Sequence, residues 1–365
     1  MKDYINPHLI VESSRVEPGV VSWKSPSNLA LIKYWGKYDR QRPRNPSVSF
    51  TLDSAYTETR IEYGPREQKI TPEIELEFFF DDQPHAAFKE RLQKFLGSIT
   101  DVYPFLKQLK LVIRSSNSFP HSAGIASSAS AMSALALCLC SIEEALFQPQ
   151  QDESSFFRKA SFIARLASGS ACRSVYPQLA FWGEHGEVAD SSDYFAIPFE
   201  KEVHPVFKSF QNDILIVSKK EKSVSSSAGH ALMEQHPYAD TRYKQANKQI
   251  HLLIRALKNG EIEEAGRIIE NEALTLHALM MASNPSYILL QPGTLDVIRL
   301  VRQFRKDTNT PLYFSLDAGP NPHLLYPLSE KNKIQDFIQN ELIRYCDLER
   351  HISDQVGQGP QKIES

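Results

Sequence analysis

The chain has 365 residues, about twice the size of a typical domain, so two domains are expected. Its 41% hydrophobic and 23% charged content is that of an ordinary globular protein, and a chain this long needs neither disulfides nor a structural metal to bury a core. With 41 Lys and Arg against 44 Asp and Glu the formal charge is -3, which argues against a strongly basic nucleic-acid surface and against a disordered acidic chain.

The first 115 residues read as strand-rich. Residues 20–23 (VVSW) suggest a short strand, and residues 47–62 alternate with Val, Phe, Thr, Tyr and Ile as a paired strand does. Residues 73–80 and 110–114 are further strand candidates, with a helix over 86–96 between them. Residues 125–147 carry the strongest helix signal: Met132, Leu135, Leu139, Ile142 and Leu146 recur at steps of three and four with no Pro or Gly between them. Helical character continues over 154–167. The second half predicts a buried strand at 213–218, long helices over 238–281 broken near Asn259-Gly260, and a helix over 294–306. A strand at 311–316, a dense turn DAGPNP and a partner strand at 323–326 follow, and the polar tail after His351 reads as frayed. Pro198 and Pro205 flank a charged stretch, which places the domain junction within 197–211 and divides the chain into 1–203 and 204–365. Both halves mix strands and helices, so the expected class is α+β.

Four cysteines, with no CxxC pair, make neither a disulfide framework nor a zinc site, and no HExxH occurs. The N-terminus lacks the basic start and apolar core of a secretory signal, and the apolar stretch 131–142 is too short to span a bilayer. A reduced, cytoplasmic, soluble protein is expected, with no membrane and no nucleic-acid partner.

Five segments could carry chemistry. PHSAGIASSA, residues 120–129, precedes the strong helix; its small residues and unpaired helix-start N–H groups suit an anion, and Ser127 and Ser128 add hydroxyls. It reads equally as the Ser-rich cap of a buried helix, and it is no Walker A loop. NLALIKYWGK, residues 28–37, sets two lysines four apart around two aromatics, either as an anion site or as a strand end with solvated lysines. The arginines at 40, 42 and 44 read as a solvated basic loop. SGSACRS, residues 168–174, presents Arg173 among small residues, as bidentate grip on an anion requires; Cys172 has no histidine nearby and reads as packing. SLDAGPN, residues 315–321, ends an apolar strand in Asp317, which is either a turn former or a positioned base. KKEKSVSSSAG, residues 219–229, could bind an anion or cap a helix. Phosphate-binding groups, cations and one candidate carboxylate, with no redox motif and no nucleophile beside a base, fit phosphoryl transfer, where positioning and charge neutralisation supply most of the catalysis.

The blocks NLALIKYWGK, PHSAGIASSASA, SGSACRS and LDAGPN stand in one order between residue 22 and about residue 326, and in them the chain resembles the mevalonate diphosphate decarboxylases of the GHMP kinase superfamily. The resemblance implies a two-domain α+β fold with the active site in a cleft between domains. It implies an ATP- and Mg2+-dependent enzyme of the mevalonate pathway. Such an enzyme phosphorylates the 3-hydroxyl of (R)-5-diphosphomevalonate and releases ADP, phosphate, CO2 and isopentenyl diphosphate. It further implies a homodimer with no resident metal site. Carried over residue by residue, it makes Asp317 the group that orients or deprotonates the 3-hydroxyl, Arg173 the grip on the substrate carboxylate, and Lys33 a partner that tunes Asp317. Tyr34, Lys37, Ser168, Ser170 and Ser226 are expected at the substrate diphosphate, and Asn28 at the substrate or at Arg173. Ser122, Gly124, Ser127 and Ser128 are expected at the ATP phosphates. The chain departs from the family's usual pattern in PHSAG for PTAAG, in NPSVSFTL, in His230 where Met is common, and in Ser227 where some bacterial members have Arg. A phosphomevalonate decarboxylase and a mevalonate 3-kinase are the alternatives within the superfamily, and a non-catalytic nucleotide-binding protein lies beyond it.

Overall fold

The structure, a computed structural model, describes residues 4–12, 16–66, 73–119, 125–150, 152–220 and 224–364. Its first half supplies strands β1 (Gly19–Ala30), β2 (Ser47–Pro65), β3 (Glu75–Phe80), β4 (Gln83–Pro84), β5 (Leu109–Asn117), β6 (Leu179–Trp182) and β7 (Ala196–Pro198). Helices α1 (Ala86–Ser98), α2 (Ser127–Phe147) and α3 (Glu153–Ala167) accompany them. The strands lie in the order β1-β2-β5-β3-β4, and β6 pairs with the first residues of β2 and with β7. The second half contains α4 (Pro205–Lys208), β8 (Gln211–Leu215), α5 (Ser226–Leu232), α6 (Ala239–Asn259), α7 (Ile262–Met281), α8 (Pro292–Thr308), β9 (Tyr313–Ser315), β10 (His323–Tyr326) and α9 (Lys331–Phe337). The tail adds β11 (His351–Ile352) and β12 (Gln361–Lys362). A second, antiparallel sheet runs β11-β8-β10-β9, so the α+β class holds.

The burial pattern of β2 explains its position. Its last dozen residues alternate buried and open, so one face meets the core and the other meets water. Its first six residues are buried on both faces, because the second half of the chain packs over them. Phe50, Leu29 and Ile32 share an apolar cluster with Ile250, Leu253, Ile269 and Leu325, and this seam joins the two halves. β1 is a strand of 12 residues rather than the four expected; its pairing with β2 slips between Pro26 and Asn28. A proline, which cannot donate to the ladder, is tolerated at such a bulge, and the bulge re-aims Asn28.

α2 begins at Ser127 and runs 21 residues, further than its most apolar stretch suggested. By length and composition it could cross a membrane, but 67% of its apolar window is buried inside the protein against β1, β2 and α3. The predicted break at Gly260 is an αL helix end (φ +77°), which a glycine adopts without strain.

The tail is not frayed. β11 pairs with β8, β12 pairs with β1, and Val356 is buried between them. Asp354 accepts the N–H groups of Asp53, Ser54 and Ala55 at 2.9, 2.8 and 2.8 Å, satisfying donors of β2 that no strand partner reaches. The end of the chain therefore returns from the second sheet to the first.

Candidate active site

A cleft of about 960 Å³ opens between the halves. The first half contributes Asn28, Lys33, Tyr34, Lys37, Ser128, Ser168, Ser170 and Arg173 to its walls, and the second contributes Ser226, His230 and Asp317. The predicted segments thus converge although they are up to 289 residues apart in sequence.

Asp317 follows β9 at the mouth of the turn into β10. Its backbone makes the turn, with the Gly319 N–H donating to the Asp317 carbonyl at 2.7 Å and His277 Nε2 at 3.1 Å from the same oxygen. Its side chain is left for the cleft, where Oδ1 accepts from Lys33 Nζ at 2.8 Å; the two side chains are 21% and 3% exposed. Burial pushes the Asp317 carboxyl up, but Lys33, His323 and Arg173 outweigh it and hold the group below its usual value. The turn and the positioned carboxylate are one arrangement, not alternatives.

Lys33 is held by its peptide. Glu272 Oε2 accepts the Lys33 N–H at 2.9 Å, and the Lys33 carbonyl accepts from Arg242 Nη2 at 3.1 Å and Asn45 Nδ2 at 3.2 Å. Arg242 and Glu272, on α6 and α7, bond each other twice, at 2.7 and 2.6 Å, and are fully buried. Sequence reasoning missed this clamp, since no short motif links residues 30 apart on neighbouring helices.

Arg173 is 1% exposed. Its Nε donates to Ser49 Oγ at 3.1 Å and to Asn28 Oδ1 at 3.3 Å, and Nη2 donates to Asn28 Oδ1 at 3.2 Å. Asn28 is itself fixed by donating to Ser174 Oγ at 2.8 Å and to the Ser170 carbonyl at 3.1 Å, so it positions the arginine. Nη1 is buried with no hydrogen-bond partner among the described residues. An unsatisfied guanidinium nitrogen is costly. Burial lowers the basicity of Arg173, and Cys172, Asp317 and Tyr34 partly restore it.

Tyr34 Oη donates to the Gln41 carbonyl at 3.2 Å, and burial raises its phenol well above the usual range, so it stays a neutral donor. Lys37 Nζ donates to Gln41 Oε1 at 3.0 Å, and burial lowers its pKa. Cys172 is the packing residue expected: Sγ donates to the Gly169 carbonyl at 3.0 Å, and burial pushes the thiol up to about 12. In the basic loop Arg42 pairs with Asp39, and Arg44 lies 3.8 Å over the Tyr38 ring.

Ser122 and Gly124, with His121, lie outside the described residues. The cap of α2 is Ala126 in the left-handed conformation, φ 48°, with no side-chain cap bond; the reading as a Ser-rich cap is corrected. Among the described residues no cap side chain takes the N–H groups of its first turn, beside Ser127 and Ser128, and the Ala129 N–H donates to the Ala126 carbonyl at 2.7 Å. Ser128 Oγ lies 3.3 Å from Ser168 Oγ. In the lysine–serine segment the cap reading holds in part: Ser225 accepts the Ala228 N–H at 3.2 Å, while Ser226 and Ser227 line the cleft. Past these serines and Ser128 the cleft meets a second cavity of about 1230 Å³, walled by Phe78, Phe80, Phe88, Met132 and Leu135. Arg91 and Ala126 line both cavities. Arg91 and the aromatic wall were not expected at a site; they come from α1 and β3, where nothing local distinguishes them from surface or core residues, whereas His230, one of the departures noted in the sequence, does line the cleft. Among the described residues no group of three or more His, Cys, Asp or Glu side chains could hold a metal.

Two mixed sheet-and-helix halves enclosing a cationic cleft beside a helix start define a GHMP-kinase-like fold. The family profile described as the diphosphomevalonate decarboxylase-like N-terminal domain matches residues 25–194, and that of the mevalonate 5-diphosphate decarboxylase C-terminal domain matches 213–363. The chain belongs to the diphosphomevalonate decarboxylase family. It is 29% identical to the Saccharomyces cerevisiae diphosphomevalonate decarboxylase over 334 residues, which cover 86% of this chain and 79% of that one. The mevalonate diphosphate decarboxylase from Staphylococcus aureus superposes with a TM-score of 0.81 at 27% identity, covering 95% of this chain and 99% of that one. The structure of MDDEF in complex with MVAPP, AMPPCP and magnesium gives 0.79 at 26%, covering 96% and 100%.

Proposed function

We propose that the chain catalyses the ATP-dependent decarboxylation of (R)-5-diphosphomevalonate to isopentenyl diphosphate, with ADP, phosphate and CO2 as the other products. The observation that carries this reading is the Asp317–Lys33 ion pair at 2.8 Å in one cleft with a buried Arg173 whose Nη1 has no hydrogen-bond partner among the described residues. The matched relatives named as diphosphomevalonate decarboxylases support it.

A tertiary hydroxyl leaves poorly, and phosphorylation makes it a good leaving group. As phosphate departs, positive character grows at C3 and the adjacent carboxylate leaves as CO2. Asp317 accepts the hydrogen bond of the 3-hydroxyl and orients it. Its depressed pKa makes it a weak base toward the free alcohol, so it takes the proton late, as the new bond to phosphorus forms. Once that proton has passed on to the oxygens of the new phosphate, the carboxylate is charged again, and its negative charge favours the cationic carbon as phosphate leaves. Arg173 binds the substrate carboxylate through Nη1, with Asn28 and Ser49 keeping the fork in place. Lys37, Tyr34, Ser168, Ser170 and Ser226 take the diphosphate end.

Ser127 and Ser128, beside the start of α2, take the nucleotide phosphates, and the aromatic cavity takes the base. The residues fit a Mg2+ that arrives with the nucleotide, since among the described residues hydroxyls but no carboxylate cluster stand there. Bound there, the ion would neutralise charge on the phosphate oxygens. We place the halves' boundary between 203 and 204, with the last strand returned to the first sheet. Four free, buried cysteines suit a reducing cytoplasm.

The test is incubation with Mg-ATP and, separately, mevalonate, 5-phosphomevalonate and 5-diphosphomevalonate, measuring ADP and CO2. Equal ADP and CO2 from the diphosphate is the expected result. ADP without CO2 identifies a kinase, and CO2 from the monophosphate moves the enzyme to that substrate.

A further inference from the structure

His230 sits on α5 with its ring on the cleft wall, 9% exposed. Its Nδ1 accepts the Gly36 N–H at 3.0 Å, which leaves the ring proton on Nε2. The ring is wedged between Tyr34 and Trp35, with centroids 4.4 and 4.7 Å away, so its orientation is fixed before any ligand enters. The backbone beneath it is equally confined, since a Cβ on Gly229 would stand 2.6 Å from the Trp35 ring. Burial, with a contribution from Lys37, pushes its pKa down to about 3, so at neutral pH the ring is uncharged. The orientation of Gly36 is also set, because its φ of +100° is one that glycine adopts readily. Nε2 is therefore a donor of fixed direction and no charge.

Resting on the function proposed above, we infer that His230 is a binding residue, whose Nε2–H donates to an anionic oxygen of the substrate's phosphorylated end. The neighbouring groups favour this occupant. Lys37 acts electrostatically on His230 and brings positive charge to the same wall, while Tyr34, Ser226 and Ser227 line the same cleft with hydroxyls. Among the charged groups lining this cleft, Lys33, Lys37, Arg91 and Arg173 are cations and Asp317 is the carboxylate. A further cation beside Lys37 would repel it, whereas a neutral donor adds a directed bond to an anion without that cost. Substrates with fewer phosphate oxygens at this end lose the bond, so the residue also sets selectivity for the length of the phosphate chain.

Two isosteric substitutions separate the donor from the anchor of Gly36. His230→Asn keeps an oxygen where Nδ1 accepts from Gly36 and removes the donor. His230→Gln places an amide N–H near the position of Nε2 and gives up the acceptor. The readouts are the KM for 5-diphosphomevalonate, the KM for ATP, and the Kd of inorganic diphosphate by calorimetry, which needs no turnover. The expected result is that His230→Asn weakens both substrate and inorganic diphosphate by about tenfold, the usual scale for a hydrogen bond to a charged group. The KM for ATP stays unchanged, and His230→Gln recovers to within about threefold of the parent. If Asn behaves as the parent and Gln is damaged, His230 serves only to hold Gly36 and the inference falls. It also falls if neither variant changes the diphosphate Kd. Absence of ADP from the unsubstituted protein with all three substrates overturns the proposed function instead, while the calorimetry still decides the donor.

Discussion

Replacing Asp317 by Asn tests the centre of the site. The amide is isosteric and still accepts a hydrogen bond from Lys33 Nζ, which now stands 2.8 Å from a carboxylate oxygen. What is lost is the charge and the capacity to take a proton. Losing a positioned proton acceptor usually costs about 10²–10⁴ in rate, and here the charge that faces the cationic carbon goes with it. We expect kcat to fall at least about 10²-fold, with the KM for ATP within about threefold, since the nucleotide end is proposed to lie with Ser127 and Ser128. Lys33 is 3% exposed and would lose the carboxylate it pairs with. Removing one partner of a buried pair costs about 3–5 kcal/mol. Asp317 is 21% exposed and opens on the cleft, and the amide keeps one bond, so about 2 kcal/mol is the expected loss of stability. Coupled ADP release, CO2 trapping and urea denaturation measure the three quantities. A folded variant with kcat within threefold of the parent refutes the role of Asp317.

Arg173→Ala should lower turnover and raise the KM for the mevalonate substrate far more than that for ATP; a loss confined to ATP binding would contradict the placement of Nη1. Glu272→Gln, at a pair buried on both sides, should destabilise the fold by about 3–5 kcal/mol in urea denaturation and release the Lys33 peptide, and an unchanged midpoint would refute the clamp. Asp354→Ala strands the Asp53, Ser54 and Ala55 N–H groups and should cost about 3 kcal/mol, read by the same method; parent stability would mean the tail is not held there. Burial lowers His277 and His323 to about 4, below the ordinary histidine value, so the unfolded chain binds more protons between those pH values. Stability should therefore fall as pH drops from about 6.5 toward 4, by about 1.4 kcal/mol per pH unit for each histidine, and His277→Asn should flatten that slope.

What the sequence disclosed was whatever is written locally. The helix α2 follows from an uninterrupted apolar period, the α6–α7 break from Asn259-Gly260, and the Asp317 turn from six turn-forming residues after an apolar strand. The site blocks were legible because each is a short run of special residues. The length of β1 was not legible, because residues 24–28 include a lysine and Pro26, and only pairing with β2 across the bulge makes them strand. The docked tail was hidden for the same reason: its polar residues read as solvated until Asp354 meets donors 299 to 301 positions away. Arg242 and Glu272 carried no signal in the sequence, and only the packing of α6 on α7 buries them against the Lys33 peptide. Each miss is a contact between distant segments that composition cannot encode.

The charges of the cleft follow one rule. Lys33 is balanced by Asp317, and its peptide is fixed by a buried ion pair, so it arrives at the reaction already paired. Lys37 and Arg173 are cations of the cleft that burial makes less basic, and Arg173 keeps a nitrogen with no hydrogen-bond partner among the described residues. Desolvated positive charge without a counter-ion opposes folding, and it is relieved when an anion enters. A substrate with a carboxylate at one end and a diphosphate at the other supplies an anion to each. On the proposed function, the groups least satisfied in the protein are those that the substrate would complete, which ties affinity for a doubly anionic molecule to the stability that these desolvated cations cost.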